Sequence, residues 1–221
     1  MTGTTRHAGR RRAPSRASVR LGVLFGIGSL CFAVGSLPLY FTEVSPAVAA
    51  WTFVVGSLFF TTAAAFQLAG TPRAERTDWW ASLVQLVGTV CFNISTSAAT
   101  RGLDTAEARR LVWAPDVYGS ICFLVASVLA VVAVRARARS GPLQPLDRRV
   151  ALLNLAGSVA FGAAAVAARY VGDTTEVANV ALVNAGTFAG AVCFLAGAAL
   201  LPVASVRAAT GGPGGGGPGG A

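Results

Sequence analysis

The sequence predicts an all-α, polytopic membrane protein whose six transmembrane helices form three hairpin-like repeats. Three observations carry that prediction. First, 54% of the 221 residues are hydrophobic and only 12% are charged, whereas soluble domains are about one quarter charged. Such a chain cannot build a water-facing surface, and lipid removes the need for one. Second, the sequence contains six apolar runs of the length that crosses a bilayer's hydrocarbon, at about 21–41, 47–69, 79–99, 112–134, 150–171 and 177–201. Third, each run carries a glycine followed four residues later by a phenylalanine: Gly28 and Phe32, Gly56 and Phe60, Gly88 and Phe92, Gly119 and Phe123, Gly157 and Phe161, Gly190 and Phe194. Successive glycines lie 28, 32, 31, 38 and 33 residues apart. A period of that size marks one structural unit used repeatedly, and here the unit is one span.

The elements follow in order. Residues 1–20 read as a basic tail, and residues 21–202 as the transmembrane domain. The breaks between runs have suitable chemistry: residues 43–46, Gly70-Thr71-Pro72, the charged stretch 101–110, Ser140-Gly141-Pro142 and Gly172-Asp173. Residues 203–221 end almost wholly in Gly and Pro, a composition that buries no apolar surface and predicts disorder. The arginine-rich start also resembles an export signal, with Ala47-Val48-Ala49 as a small-residue cleavage pattern. Cleavage there would remove a whole repeat unit, and the preceding apolar run is long for a signal core, so the run is read as a span.

All eighteen cationic residues are arginines. With the N-terminus inside, fourteen of them fall in cytoplasmic segments, and only Arg101, Arg109, Arg110 and Arg169 lie outside. Cytoplasmic segments hold the positive excess, so both termini are predicted to be cytoplasmic in a plasma-membrane protein. The aromatic residues agree: Trp51, Trp79, Trp80 and Trp113 begin spans, and Tyr40, Tyr118 and Tyr170 lie near outer ends, as amphipathic rings at headgroup level should. The net charge of +9 does not point to nucleic acid, because no aromatic residues interleave with the arginines as a single-strand surface requires.

Each motif falls near the centre of its run, which predicts one layer near the bilayer midplane. Positions i and i+4 share a helix face, so each unit offers a glycine notch beside a ring. Lipid gives no hydrophobic drive between helices, and close approach then depends on small residues and interhelical hydrogen bonds. The twelve motif residues are read as packing, with a pore lining as the functional alternative. Five copies place Ser or Thr after the glycine, and such a hydroxyl can bond back to its own helix. Cys31, Cys91, Cys122 and Cys193 occupy the fourth place of their motifs. A thiol site for a soft metal is the alternative there, but Phe59 and Ala160 stand at that place in two copies. The cysteines are read as filler, and no metal or other cofactor is predicted.

Polar residues inside spans are the default functional suspects. Gln85, Thr89 and Asn93 form a stripe on span three, read as interhelical glue or as the wall of a solute path. Arg110 and Asp116, in Arg109-Arg110-Leu111-Val112-Trp113-Ala114-Pro115-Asp116, form a candidate outer mouth in which Asp116 pairs with an arginine. Asp104 and Glu107 predict a short surface helix before it. Asn154, Asn179 and Asn184 are further polar points. No catalytic residues are predicted. The sole histidine is His7 in the tail, no Gly-x-x-x-x-Gly-Lys run exists, and no span holds a central carboxylate.

The hairpin of spans one and two, with Gly28-Ser29-x-x-Phe32 and Trp51-x-x-x-x-Gly56-Ser57-x-x-Phe60, resembles the YrhK-like domain, a small two-helix membrane unit. The later spans resemble longer membrane proteins grouped with it, through Gln85-Leu-Val-Gly-Thr-Val-Cys-Phe-Asn93, Leu111-Val-Trp-Ala-Pro-Asp116 and residues 184–194. That resemblance implies no activity and no catalytic residues. The expected function is a non-enzymatic helical bundle with a structural or partner-binding role. Its partners are the lipid bilayer and, on this reading, a second copy or another membrane protein. The alternative is a small-solute permease that uses the span-three stripe.

Overall fold

The protein was described from a computed structural model covering residues 14–140 and 145–210. Most of the two predicted tails, residues 1–13 and 211–221, lies outside the described residues, and so does the predicted disorder of the C-terminal one. The described chain is helical, and six of its helices are long and apolar enough to cross a membrane.

Helix α1 (Arg16–Gly35) starts at Ser15, whose hydroxyl accepts the Ser18 N–H. It therefore begins inside the segment read as tail, since arginine is a good helix former beyond the apolar run. It also stops short of residue 41. Pro38 cannot continue the hydrogen-bond ladder and disfavours helix at the residue before it. The chain re-forms as α2 (Pro38–Glu43). Helix α3 (Pro46–Gly70) has Ser45 as its cap and Pro46 at its first position, where a missing N–H costs nothing. Helix α4 (Arg76–Ala98) follows.

Helix α5 (Thr105–Ala108) opens with a reciprocal capping box between Asp104 and Glu107. The expected separate surface helix is not what forms, because α5 runs through a π-helical turn (Arg109–Trp113) into α6 (Ala114–Ser140). The cause is Pro115, whose ring would strike the Leu111 carbonyl in a regular helix. The wider turn relieves this, and the Ala114 N–H bonds to the Arg109 carbonyl. Helix α7 (Pro145–Ala167) and helix α8 (Val180–Thr210) complete the chain, with α8 extending past residue 202 into the second predicted tail. Between them Tyr170 and Val177 form an antiparallel bridge, and Gly172, with φ of 53°, turns the loop.

The six long helices pack as a closed ring. Each touches its neighbour in the sequence, and α8 returns to α1. The ends of these two helices meet where the Ser18 hydroxyl donates to the Ser205 hydroxyl at 2.8 Å. The outer surface is apolar, with Val23, Ile27, Leu30, Val87, Ile94 and Val159 exposed, as a lipid-facing surface should be.

Inside each hairpin the two motif glycines cross. A Cβ on Gly28 would stand 3.0 Å from the Gly56 carbonyl oxygen, one on Gly119 3.0 Å from that of Gly88, and one on Gly157 3.0 Å from that of Gly190. Each crossing is covered by rings: Phe60 lies over Gly28, Phe32 over Gly56, Phe92 over Gly119, Phe194 over Gly157 and Phe161 over Gly190. Two seams between hairpins are joined by polar groups. At α3–α4 the Asn93 amide donates to Thr61 at 2.8 Å, and at α6–α7 the Ser127 and Ser158 hydroxyls lie 2.8 Å apart. The third seam, α8–α1, has the Ser18–Ser205 bond at its end and otherwise closes on small residues: a Cβ on Gly22 would stand 2.9 Å from the Ala198 carbonyl.

The six motif phenylalanines fill the axis of the ring in two layers. Phe32, Phe92 and Phe161 form one triangle, with centroids 6.4, 5.8 and 6.0 Å apart. Phe60, Phe123 and Phe194 form the other, at 6.4, 6.2 and 5.7 Å. Three hairpin pairs join the layers at 5.5, 5.0 and 5.3 Å, within the range that aromatic pairs prefer. The single layer expected from sequence becomes two because the glycine-to-phenylalanine step reverses direction between antiparallel helices. Each ring lies one turn from the crossing, toward opposite ends. Side chains lean back toward the helix N-terminus, which draws the two layers into contact.

Candidate functional site

The phenylalanine layers are set off-centre. Phe32 is three residues from the end of α1, and Phe92 and Phe161 are each six from the ends of α4 and α7. The longer arms of these helices extend toward the end that holds both described chain ends and the arginines at 73, 76, 135, 137, 139, 148 and 149. There the ring encloses a vestibule.

Its two compartments, of about 560 and 310 Å³, share Gln67, Gln85, Asn154 and Arg137 in their walls and rest on Phe123 and Phe194. Phe60 completes the floor of the second, so the vestibule ends on one phenylalanine triangle. Each helix contributes a lining residue two turns from its motif phenylalanine: Phe25, Gln67, Gln85, Ala130, Asn154 and Leu201. A seven-residue step along a helix covers about 10 Å and returns to nearly the same face. The wall is therefore the motif repeated one level nearer the arginine-rich end.

The lining is chemically uneven. Gln67 donates to Ser82 at 3.3 Å, and Ser82 bonds back to the Asp78 carbonyl at 2.9 Å. The side-chain amides of Gln85 and Asn154 form no hydrogen bond among the described residues, and both residues line the cavity, Asn154 with its Oδ1 packed against Gly197 of α8. Across the mouth Arg137 of α6 pairs with Asp78 of α4, and the Asp147 carboxylate of α7 stands in the same wall. A half-enclosed cavity of a few hundred Å³ with a few convergent polar groups is the usual form of a small-molecule site.

The structure divides the predicted stripe. Gln85 lines the vestibule, whereas Thr89 is fully buried and donates to the Leu86 carbonyl at 2.7 Å. Asn93 joins α4 to α3 through Thr61, and its buried Oδ1 has no partner among the described residues. The layer that separates them from Gln85 is the one that floors the vestibule.

Arg110 and Asp116 do not come together as predicted. The salt bridge among the described residues is Arg137–Asp78, and Arg110 is exposed. Residues six apart on a continuous helix point to different sides. Arg109, not Arg110, is engaged there: its guanidinium donates to the Gly172 carbonyl and ties the π turn to the α7–α8 loop. Burial raises the pKa of the Tyr170 phenol in that loop, and the charge of nearby Asp116 adds to the effect.

The cysteines are free thiols, and three of them fill glycine notches. A Cβ on Gly56 would meet the Cys31 Cβ at 2.9 Å, one on Gly88 that of Cys122 at 2.9 Å, and one on Gly157 that of Cys193 at 3.2 Å. No group of three potential metal ligands occurs among the described residues.

Sequence reasoning missed Gln67, Asp78, Arg137 and Asp147 as members of one site and named Asn154 only as a polar point. The signal that could have found Gln67 and Asn154 is their seven-residue spacing from Phe60 and Phe161.

Fold and site together define a multi-pass, all-helical membrane protein. Residues 20–71, which span the first hairpin from α1 to α3, match the family described as YrhK-like protein. The resemblance read from sequence in the later spans extends beyond that match. No curated protein and no solved structure matches the chain.

Proposed function

We propose that this protein is a non-enzymatic plasma-membrane permease that admits a small polar solute to its vestibule from the cytoplasm. In this reading the three hairpins are repeats of one unit, and both termini are cytoplasmic. Arginine distribution supports the orientation, and the three glycine crossings with their paired rings support the repeat. The single observation that carries the function is the pair of free amides, Gln85 and Asn154, on a cavity large enough for a small molecule. A bundle selected only for rigidity gains nothing from unpaired amides inside a span. Passage onward requires the two phenylalanine triangles to separate, so the described state is closed.

The other reading is a scaffold or partner-binding bundle. It draws support from Thr89 and Asn93, which are engaged in packing. The test is metabolite profiling of a deletion strain complemented with wild type or with the double variant Gln85→Leu/Asn154→Leu. A solute whose level changes on deletion, and is restored by wild type but not by the variant, fits the permease. Full complementation by a normally expressed variant leaves the scaffold.

A further inference from the structure

Several arginines of the arginine-rich end are satisfied within the protein. The Arg20 guanidinium lies 3.8 Å over the Phe66 ring, Arg73 lies 5.9 Å over Trp79, and Arg137 pairs with Asp78. Arg135 of α6 and Arg148 of α7 differ. Both line a crevice of about 220 Å³ between these helices, and neither has an ion-pair partner among the described residues. The remaining walls are apolar, among them Val131, Val134, Ala151 and Leu152, and no carboxylate lines the crevice.

Its position matters as much as its charge. Leu152 and neighbouring Val132 are exposed on the outer surface of the ring, so the crevice faces lipid. It lies where the apolar run of α6 gives way to Arg135, Arg137 and Arg139, which in a bilayer is headgroup level. Arg148 sits in the first turn of α7, where unpaired N–H groups add positive potential.

We propose that this crevice binds the headgroup of an anionic phospholipid. The phosphate lies between the Arg135 and Arg148 guanidiniums, each able to hold it through paired N–H donors, and the first part of an acyl chain runs along Val131 and Leu152. The crevice shares Val134 and Ala151 with the vestibule wall, but Arg135 and Arg148 line only the crevice, and the proposal depends neither on solute transport nor on which leaflet the arginine-rich end faces.

The test is native mass spectrometry of the full-length protein, loaded with phosphatidylglycerol or phosphatidylcholine in detergent. Wild type should retain phosphatidylglycerol in preference to phosphatidylcholine. Arg135→Gln/Arg148→Gln should lower its affinity about 30-fold, since each basic residue near an anionic headgroup contributes a several-fold gain. Arg139→Gln/Arg149→Gln removes equal charge from exposed residues outside the crevice and should change little. Should the charge variant fold poorly, Leu152→Trp fills the crevice, keeps both arginines and should also weaken retention. Equal loss in the control variant would reduce the effect to diffuse surface charge, and undiminished retention in both crevice variants would remove the site. Displacement of the lipid by inorganic phosphate alone would make it a phosphate site and overturn the lipid assignment.

Discussion

The two halves of the ring, on either side of the phenylalanine triangles, are built from the same six helices but differ in how their polar groups are used. On the side away from the arginines, Asn93 reaches Thr61, the Ser57 hydroxyl lies 3.0 Å from that of Thr96, and the Trp113 indole donates to the Ala165 carbonyl at 3.0 Å. On the arginine-rich side Gln67 still reaches Ser82 and Ser18 reaches Ser205, but Gln85 and Asn154, with no side-chain hydrogen bond among the described residues, line a cavity. Polar groups that join helices stabilise the bundle, and polar groups left free on a cavity are available to a ligand. That difference separates packing groups from ligand-accessible groups within one bundle.

The comparison can be broken most sharply at the boundary itself. Phe92→Ala or Phe123→Ala should destabilise the bundle by about 3–5 kcal/mol, read as unfolding by denaturing detergent in mixed micelles. A loss below about 1 kcal/mol would mean that the layers are not a packed core. Next come the crossings. Gly119→Val must push aside the Gly88 carbonyl and the Phe92 ring, at about 1–3 kcal/mol, whereas Gly162→Ala meets nothing within 4 Å and should be neutral in the same assay. Equal costs at both positions would contradict the assigned packing.

A smaller effect tests the two halves directly. Asn93→Leu loses an interhelical bond, at about 1–2 kcal/mol, while Gln85→Leu on the other side of the layer should leave stability unchanged or raised. The reverse order would make Gln85 the glue and Asn93 the free group. Smallest is Arg137→Gln at the vestibule mouth. Its pair with Asp78 is partly exposed, and such pairs contribute about 0–1 kcal/mol, so the melting temperature should barely move.

The apolar runs and their breaks were legible in the sequence because length, hydropathy, Pro and Gly act locally. Two features of the fold were not. The interruption of span one at Pro38 lies inside a run apolar enough to read as continuous. The two-layer core depends on chain direction, which the one-dimensional motif does not display. Half of the site was hidden for a related reason. Phe25, Gln67, Gln85, Ala130, Asn154 and Leu201 share no chemistry, only a register relative to the motif phenylalanines that reverses in alternate helices. Asp78 and Arg137 lie 59 residues apart, and only the packing of α4 against α6 brings them together.

The central claim is a vestibule open at the arginine-rich end and sealed by phenylalanine, and thiol accessibility tests it most directly. With Cys31, Cys91, Cys122 and Cys193 replaced by Ala, single cysteines are introduced by Ala130→Cys in the vestibule wall and Ser95→Cys beyond the seal. In oriented vesicles, a membrane-impermeant maleimide added at the arginine-rich face should label Ala130→Cys and not Ser95→Cys, and from the opposite face it should not reach Ala130→Cys. Labelling of Ala130→Cys from both faces, or from neither, would contradict the account.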